Sequence, residues 1–254
     1  MDIAARLDLV NWLVAQSLTG MSENEILRGF CERCCGAGLE LSRSLTIIDT
    51  LHPIFEGRGF RWNDVDTNEA DSFEYGSSNE GEAAQNWRRS VFHHMLENGH
   101  DEFSIDLMDC AHLDFPVIDD LTAQGHRHYL AFVHRFGEAG TLGQMDCFYS
   151  NWLTRRDGGF TETQIAALRD LVPLLGLAIK SAQQVDIVRT LGRVYLGRDA
   201  SERVLSGRIT RGVTERIKAV LWFSDLRNST GISERPASVI VICRDWRRAR
   251  PSAV

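Results

Sequence analysis

Asp225 is the residue whose surroundings most suggest chemistry. It follows Ala219-Val220-Leu221-Trp222-Phe223, a continuous apolar run of the kind that forms a strand buried on both faces. A carboxylate at the C-terminal end of such a strand suits a hard cation that bridges to phosphates. The same aspartate could instead cap the helix that follows. Cys31-x-x-Cys34-Cys35 has the spacing of half a zinc site. No second Cys or Cys/His pair stands at ligand spacing, so on a helix these thiols read as buried small hydrophobes. The middle of the chain is rich in histidine: His93-His94, His100, His112, His126-x-His128 and His134. His134 alternates with Phe132 and Phe136 on one side of an expected strand, which makes it the best single candidate for a ligand contact. The competing role is that of a satisfied core or pocket-lining histidine.

These residues need elements to hold them. Ile3, Leu7, Val10, Leu13 and Val14 recur at spacings of three and four and predict a helix over 2–17. Ser22-x-x-Glu25 before Ile26 and Leu27 has the form of a capping box for a second helix that reaches about Ala37. Strand-like pieces follow at Ser44–Leu51 and Gly59–Trp62. Residues 62–82 carry seven Asp/Glu and no Lys or Arg, and read as an exposed acidic loop. A helix is predicted from Ala83 to Glu97, and strands over Tyr129–Phe136 and Gly143–Leu153.

The longest element starts at Thr161, with Gln164 three residues on as a second capping box. Ile165, Leu168, Val172, Leu175, Ile179 and Ala182 form a heptad seam. Pro173 should bend this helix. The seam continues through Val185 and Val188 only with a stammer. A helix apolar over this length predicts a parallel homodimer, built from this exit helix and the N-terminal one.

The order helix, helix, strands, helix, strands, long exit helix resembles a GAF-type sensor domain, with a PAS-like domain the nearest competitor. The GAF resemblance covers residues 1–185. It implies an α+β fold in which an antiparallel sheet is backed by the first and last helices. It also implies a small-molecule ligand, and such domains can hold a haem or a metal through a histidine. Phe223-Ser224-Asp225-Leu226-Arg227 resembles the start of the catalytic domain of bacterial class III adenylate/guanylate cyclases. The stretch from Tyr195-Leu196-Gly197-Arg198 to Arg211-Gly212 is similar to the connector that joins a GAF-type sensor to such a cyclase. By this resemblance the chain divides into a sensor (1–185), a helical connector (186–212), a first catalytic strand (213–230) and a divergent tail (231–254). Asp225 is then a metal-binding aspartate, and the Leu226 carbonyl a second ligand for Mg²⁺ or Mn²⁺. Intact relatives convert ATP or GTP to the cyclic nucleotide and pyrophosphate. Asn228-Ser229-Thr230 stands where Gly-Phe-Thr is commonest, so only the Thr of that turn is kept.

From Asp225 onwards the 254-residue chain leaves too few positions for the hairpin that carries the second metal aspartate. Residues 231–254 hold five Arg, two Pro and no Leu, a composition that breaks from what precedes it. The expectation is a truncated cyclase, inactive by itself, whose sensor portion remains. The alternative is a stand-alone ligand-binding module of the GAF type.

Charge supports a two-part chain. The net charge is −7, yet residues 186–254 hold 14 Lys+Arg against 7 Asp+Glu. These arginines are spread among acids without aromatic interleaving, which argues against nucleic-acid binding. No apolar run approaches a membrane span, and Met1-Asp2-Ile3-Ala4-Ala5-Arg6 lacks a secretory pattern. The expected setting is the cytoplasm, with free thiols.

Overall fold

The computed structural model describes residues 1–65, 70–76, 81–109, 115–136 and 147–208. Asp225, Leu226 and the whole segment expected to resemble a cyclase lie outside the described residues, as does His112.

Local capping sets the ends of the helices. Helix α1 (Ile3–Thr19) begins where the Asp2 carboxylate accepts the Ala5 N–H at 2.7 Å, and Gly20 ends it in the left-handed region at φ 73°. Helix α2 (Glu23–Gly36) carries the expected box, with Glu25 accepting from the Ser22 N–H at 3.2 Å. The long helix α6 (Glu162–Leu196) also starts as predicted. Thr161 N–H donates to Gln164 Oε1 at 2.9 Å, and Gln164 N–H donates to Thr161 Oγ1 at 3.3 Å. It runs through Pro173 and past residue 185 as a continuous helix. Gly197 then turns the chain into α7 (Arg198–Leu205).

Six strands form one antiparallel sheet: β1 (Arg43–Asp49), β2 (Gly57–Asn63), β3 (Ser72–Tyr75), β4 (Glu102–Asp106), β5 (His128–Arg135) and β6 (Cys147–Thr154). Their order across the sheet is β3-β2-β1-β6-β5-β4. The register is set by Ile47 opposite both Gly59 and Tyr149, and by Leu130 opposite Trp152. This is the α+β architecture expected from the sequence, with α1, α2 and α6 together on one side of the sheet. Three elements were not anticipated. Strand β3 lies inside the stretch read as an acidic loop, and β4 and α5 (Pro116–Ala123) fill the interval before β5. The single helix expected over 83–97 is two, α3 (Gly81–Arg88) and α4 (Val91–Glu97). Ser90 breaks them by accepting the His93 N–H at 3.1 Å as the N-cap of α4.

Both faces of the sheet are covered, so every residue of β6 is buried. On one face Phe148, Trp152, Leu130 and Phe132 pack with Leu9 and Leu13 of α1, Phe30 of α2 and Leu175 of α6. On the other, Tyr149, Ala131 and Val133 pack with Phe92 and Met95 of α4 and Ile118 of α5. Alternation along a strand sends neighbouring residues to these opposite cores, which is why Phe148 and Tyr149 belong to different layers.

The seam of α6 has a different partner from the one expected. Ile165, Leu168, Val172, Leu175 and Ile179 are buried against the sheet and belong to the core of this chain. The apolar period that suggests a coiled coil is used here for helix-on-sheet packing. The stripe predicted on α1 is corrected in the same way. Leu9 and Leu13 face inwards, whereas Ile3, Leu7, Val14 and Leu18 are exposed. On α6 the exposed apolar residues are Leu177, Val185, Val188 and those of the last turn, Val194 to Leu196. No described helix is long and apolar enough to cross a membrane.

Candidate ligand-binding site

A cavity of about 540 Å³ opens between the strand side of β1–β3 and helix α3, a volume within the range of small-molecule sites. Phe73 and Tyr75 of β3 make its floor. Gly57 and Gly59 of β2 stand opposite Tyr75 and Phe73. A Cβ at Gly57 would overlap the Tyr75 ring and hydroxyl, and a Cβ at Gly59 would overlap the Phe73 ring. The missing side chains let two aromatic rings lie across the strand, a cross-strand glycine–aromatic pairing. From there the Tyr75 hydroxyl reaches over β2 and donates to Asp49 Oδ1 of β1 at 2.6 Å.

Trp87 of α3, Phe92 of α4 and Tyr149 of β6 form the wall. Trp87 meets Tyr149 edge-on, with centroids 5.6 Å apart, and Phe92 tilts against Tyr149 at 5.4 Å. The polar groups that converge on the cavity are Asp49, Glu56, Tyr75, Asn86 and Ser90. Among the described residues that line it there is no Lys, Arg or His. Burial, and then the Asp49 carboxylate, push the Tyr75 phenol far above its usual range, so it remains a protonated donor to Asp49.

The residues singled out in the sequence lie elsewhere. His134 sits on the opposite face of β5, on the α6 side, between the rings of Phe132 (6.0 Å) and Phe148 (6.3 Å). Its Nδ1 is buried without a hydrogen-bond partner, and burial lowers its pKa. It does not line the cavity. Cys31 and Cys34 are buried in the helix-side core, as their reading as small hydrophobes implies, and burial raises both thiol pKa values. The described residues contain no group of three or more His, Cys, Asp or Glu able to hold a metal ion.

The other histidines are dispersed and engaged. His128 accepts the Phe160 N–H on Nδ1 at 2.9 Å, which leaves Nε2–H to donate to Ser104 Oγ at 2.9 Å. His126 pairs through Nδ1 with Ser42 Oγ at 2.8 Å. Burial, then the charges of Arg155 and Arg43, pull His126 down to about 4; burial also lowers His128. These imidazoles are neutral in the fold but protonate at their ordinary pKa once unfolded. The unfolded chain therefore takes up more protons between about pH 6.5 and pH 4. Stability is fully present above that window and is lost as pH falls through it. The melting temperature should fall between pH 7.5 and 4.5, and His126→Gln should flatten that slope. An unchanged slope in the variant would contradict the neutral buried His126.

No protein-family model matches the sequence, and no curated protein matches it. Among solved structures the chain is similar to the phycoerythrobilin-bound GAF domain from a cyanobacterial phytochrome. The identity is 12%, the TM-score 0.42, and the match covers 70% of this chain and 95% of that one. It is also similar to a phycocyanobilin-bound GAF domain from a cyanobacterial phytochrome, again 12% identical, with TM-score 0.41 and 69% and 94% of the two chains covered.

Proposed function

We propose that this chain is a ligand-binding regulatory module of the GAF type. The observation that carries the reading is the cavity lined by Phe73, Tyr75, Trp87 and Tyr149, with Tyr75 donating to Asp49 across the strand between them. A concave space, a lining of aromatic rings and a few converging polar groups are the features of a small-molecule site. The same sheet connects it to the exit helix. Tyr149 faces the cavity, while its neighbour Phe148 faces α6, where a Cβ on Gly176 would lie 2.9 Å from the Phe148 ring. A ligand that shifts β6 therefore presses on α6, because close-packed cores pass on small displacements. A second copy of the chain covers the apolar residues left exposed along α1 and α6, giving a two-fold homodimer through the first and last helices.

The test is a fragment library read by saturation-transfer NMR. Hits should disappear in Gly57→Val, which displaces the Tyr75 ring that lines the cavity, and survive in Val188→Asp, which alters an exposed site on α6. Hits retained in both variants, or no hits at all, would overturn the cavity as a ligand site.

A second reading, that this module is the sensor of a class III nucleotidyl cyclase, is favoured by the Phe223-Ser224-Asp225-Leu226-Arg227 segment. Two-metal cyclisation needs carboxylates holding both ions about 3.5–4 Å apart. In this reading Asp225 and the Leu226 carbonyl supply half of such a site for Mg²⁺ or Mn²⁺. The purified chain should then make no cyclic nucleotide from ATP or GTP with Mn²⁺. Turnover that vanishes in Asp225→Ala would defeat this expectation.

A further inference from the structure

We infer that α7 is an autoinhibitory arm: folded back on α6 about Gly197, it occupies the face of the exit helix that a second copy of this chain takes when the arm swings away. The inference rests on the reading of a homodimer through the first and last helices. Residues three, four and seven apart share a face of a helix, so Val185, Val188, Gly192 and Leu196 form one stripe along α6. Val185, Val188 and Leu196 are among the apolar residues left exposed, and Gly192 lies between Val188 and Leu196. The arm comes down on that stripe at Gly192. A Cβ there would stand 2.5 Å from the Ser201 Oγ and 3.5 Å from the Ser201 Cβ, and Ser201 is buried. With no room even for a methyl group, α7 and a second copy cannot both sit on Gly192.

The fold-back is built to release. Gly197 has φ 78° and ψ 163°, a combination essentially confined to glycine, so this one residue serves as the hinge. The Ser201 Oγ is buried without a hydrogen-bond partner, a desolvation cost that the open arm does not carry. The close Gly192–Ser201 approach also covers little apolar surface. Val188 and Leu196 on α6, and Val204 and Leu205 on α7, all remain at least 43% exposed. A second copy brings the same stripe up by two-fold symmetry and removes that surface from water.

Gly192→Cys combined with Ser201→Cys tests this in the full chain. The 3.5 Å between the two Cβ positions suits a disulfide. Oxidation locks the arm closed and reduction frees it. Mass spectrometry verifies the intramolecular link, and the unaltered chain put through the same oxidation controls for the native thiols. Analytical ultracentrifugation then gives the dimer Kd of each form. The locked protein should dimerise about tenfold or more weakly than its own reduced form. Gly197→Ala disfavours the fold-back and favours a continuous helix, and should dimerise about threefold or more tightly than the unaltered chain. Equal Kd values for the locked and reduced protein, an unchanged Kd in Gly197→Ala, or a pair of thiols that does not link would overturn the arm; a dimer measured in any of these cases leaves the homodimer reading standing. Monomers throughout, in the reduced and Gly197→Ala forms as well, would overturn both.

Discussion

Leu175→Asp should abolish cooperative folding. Leu175 is fully buried between α6 and the sheet, in the same core as Phe148 and Trp152. An unpaired carboxylate there loses the packing of a leucine and must either remain charged without water or take up a proton at a cost. Together these amount to roughly 5 kcal/mol or more, comparable to the whole stability of a domain. Ile179→Asp should behave alike, since Ile179 has no exposure either. Val188→Asp is the contrast. Val188 is 55% exposed in the single chain, and a surface change of this kind should alter the stability of the protomer itself by no more than about 0.5 kcal/mol. If the homodimer forms through the exposed stripes, Val188→Asp combined with Leu7→Asp should give a folded monomer by light scattering. Circular dichroism melts on the same samples separate the two outcomes. A folded, monomeric Leu175→Asp would mean that the seam lies between chains, as its heptad spacing first suggests, and would contradict the packing described here.

Gly57→Val should both destabilise the protein and close the cavity. The valine occupies space now filled by the Tyr75 ring, so Tyr75 must leave its place over β2. It then gives up its hydrogen bond to the Asp49 carboxylate, a loss of about 1.5–3 kcal/mol, together with its cover on the strand. The total should be about 2–4 kcal/mol, which marks a disrupted site rather than an ordinary surface change. Removing the clashing ring gives the second arm. Gly57→Val with Tyr75→Ala should recover stability relative to Gly57→Val alone, because the new methyl groups then meet no ring. Ligand binding should not return, since the Asp49 partner is gone. Chemical denaturation and titration with whichever probe binds the unaltered protein supply the two readings. Undiminished binding in Gly57→Val would place the site elsewhere.

What the sequence determined is what local forces decide. Both capping boxes, Ser22 with Glu25 and Thr161 with Gln164, are closed by residues three apart, so they form wherever the helix starts. Strands β5 and β6 are legible because both faces of the sheet are covered and their sequences are rich in aromatic and aliphatic residues. Strand β3 was not legible. It is four residues in an acidic stretch, and it becomes a strand by pairing with the glycines of β2. A trace of it was present in Gly57-x-Gly59 and Phe73-x-Tyr75, two alternations of period two that complement each other only once they are paired.

The cavity was legible in no single stretch. Asp49, Tyr75, Trp87 and Tyr149 come from four elements, and their convergence depends on strand order and on where α3 lies over the sheet. Alternation correctly put His134 on the side of Phe132, but not which helices cover that side. That choice follows from burying the apolar faces of α1, α2 and α6 together. The seam of α6 shows the same division. A period of three and four specifies an apolar helix face, and only tertiary packing decides whether that face meets a second chain or the sheet of its own.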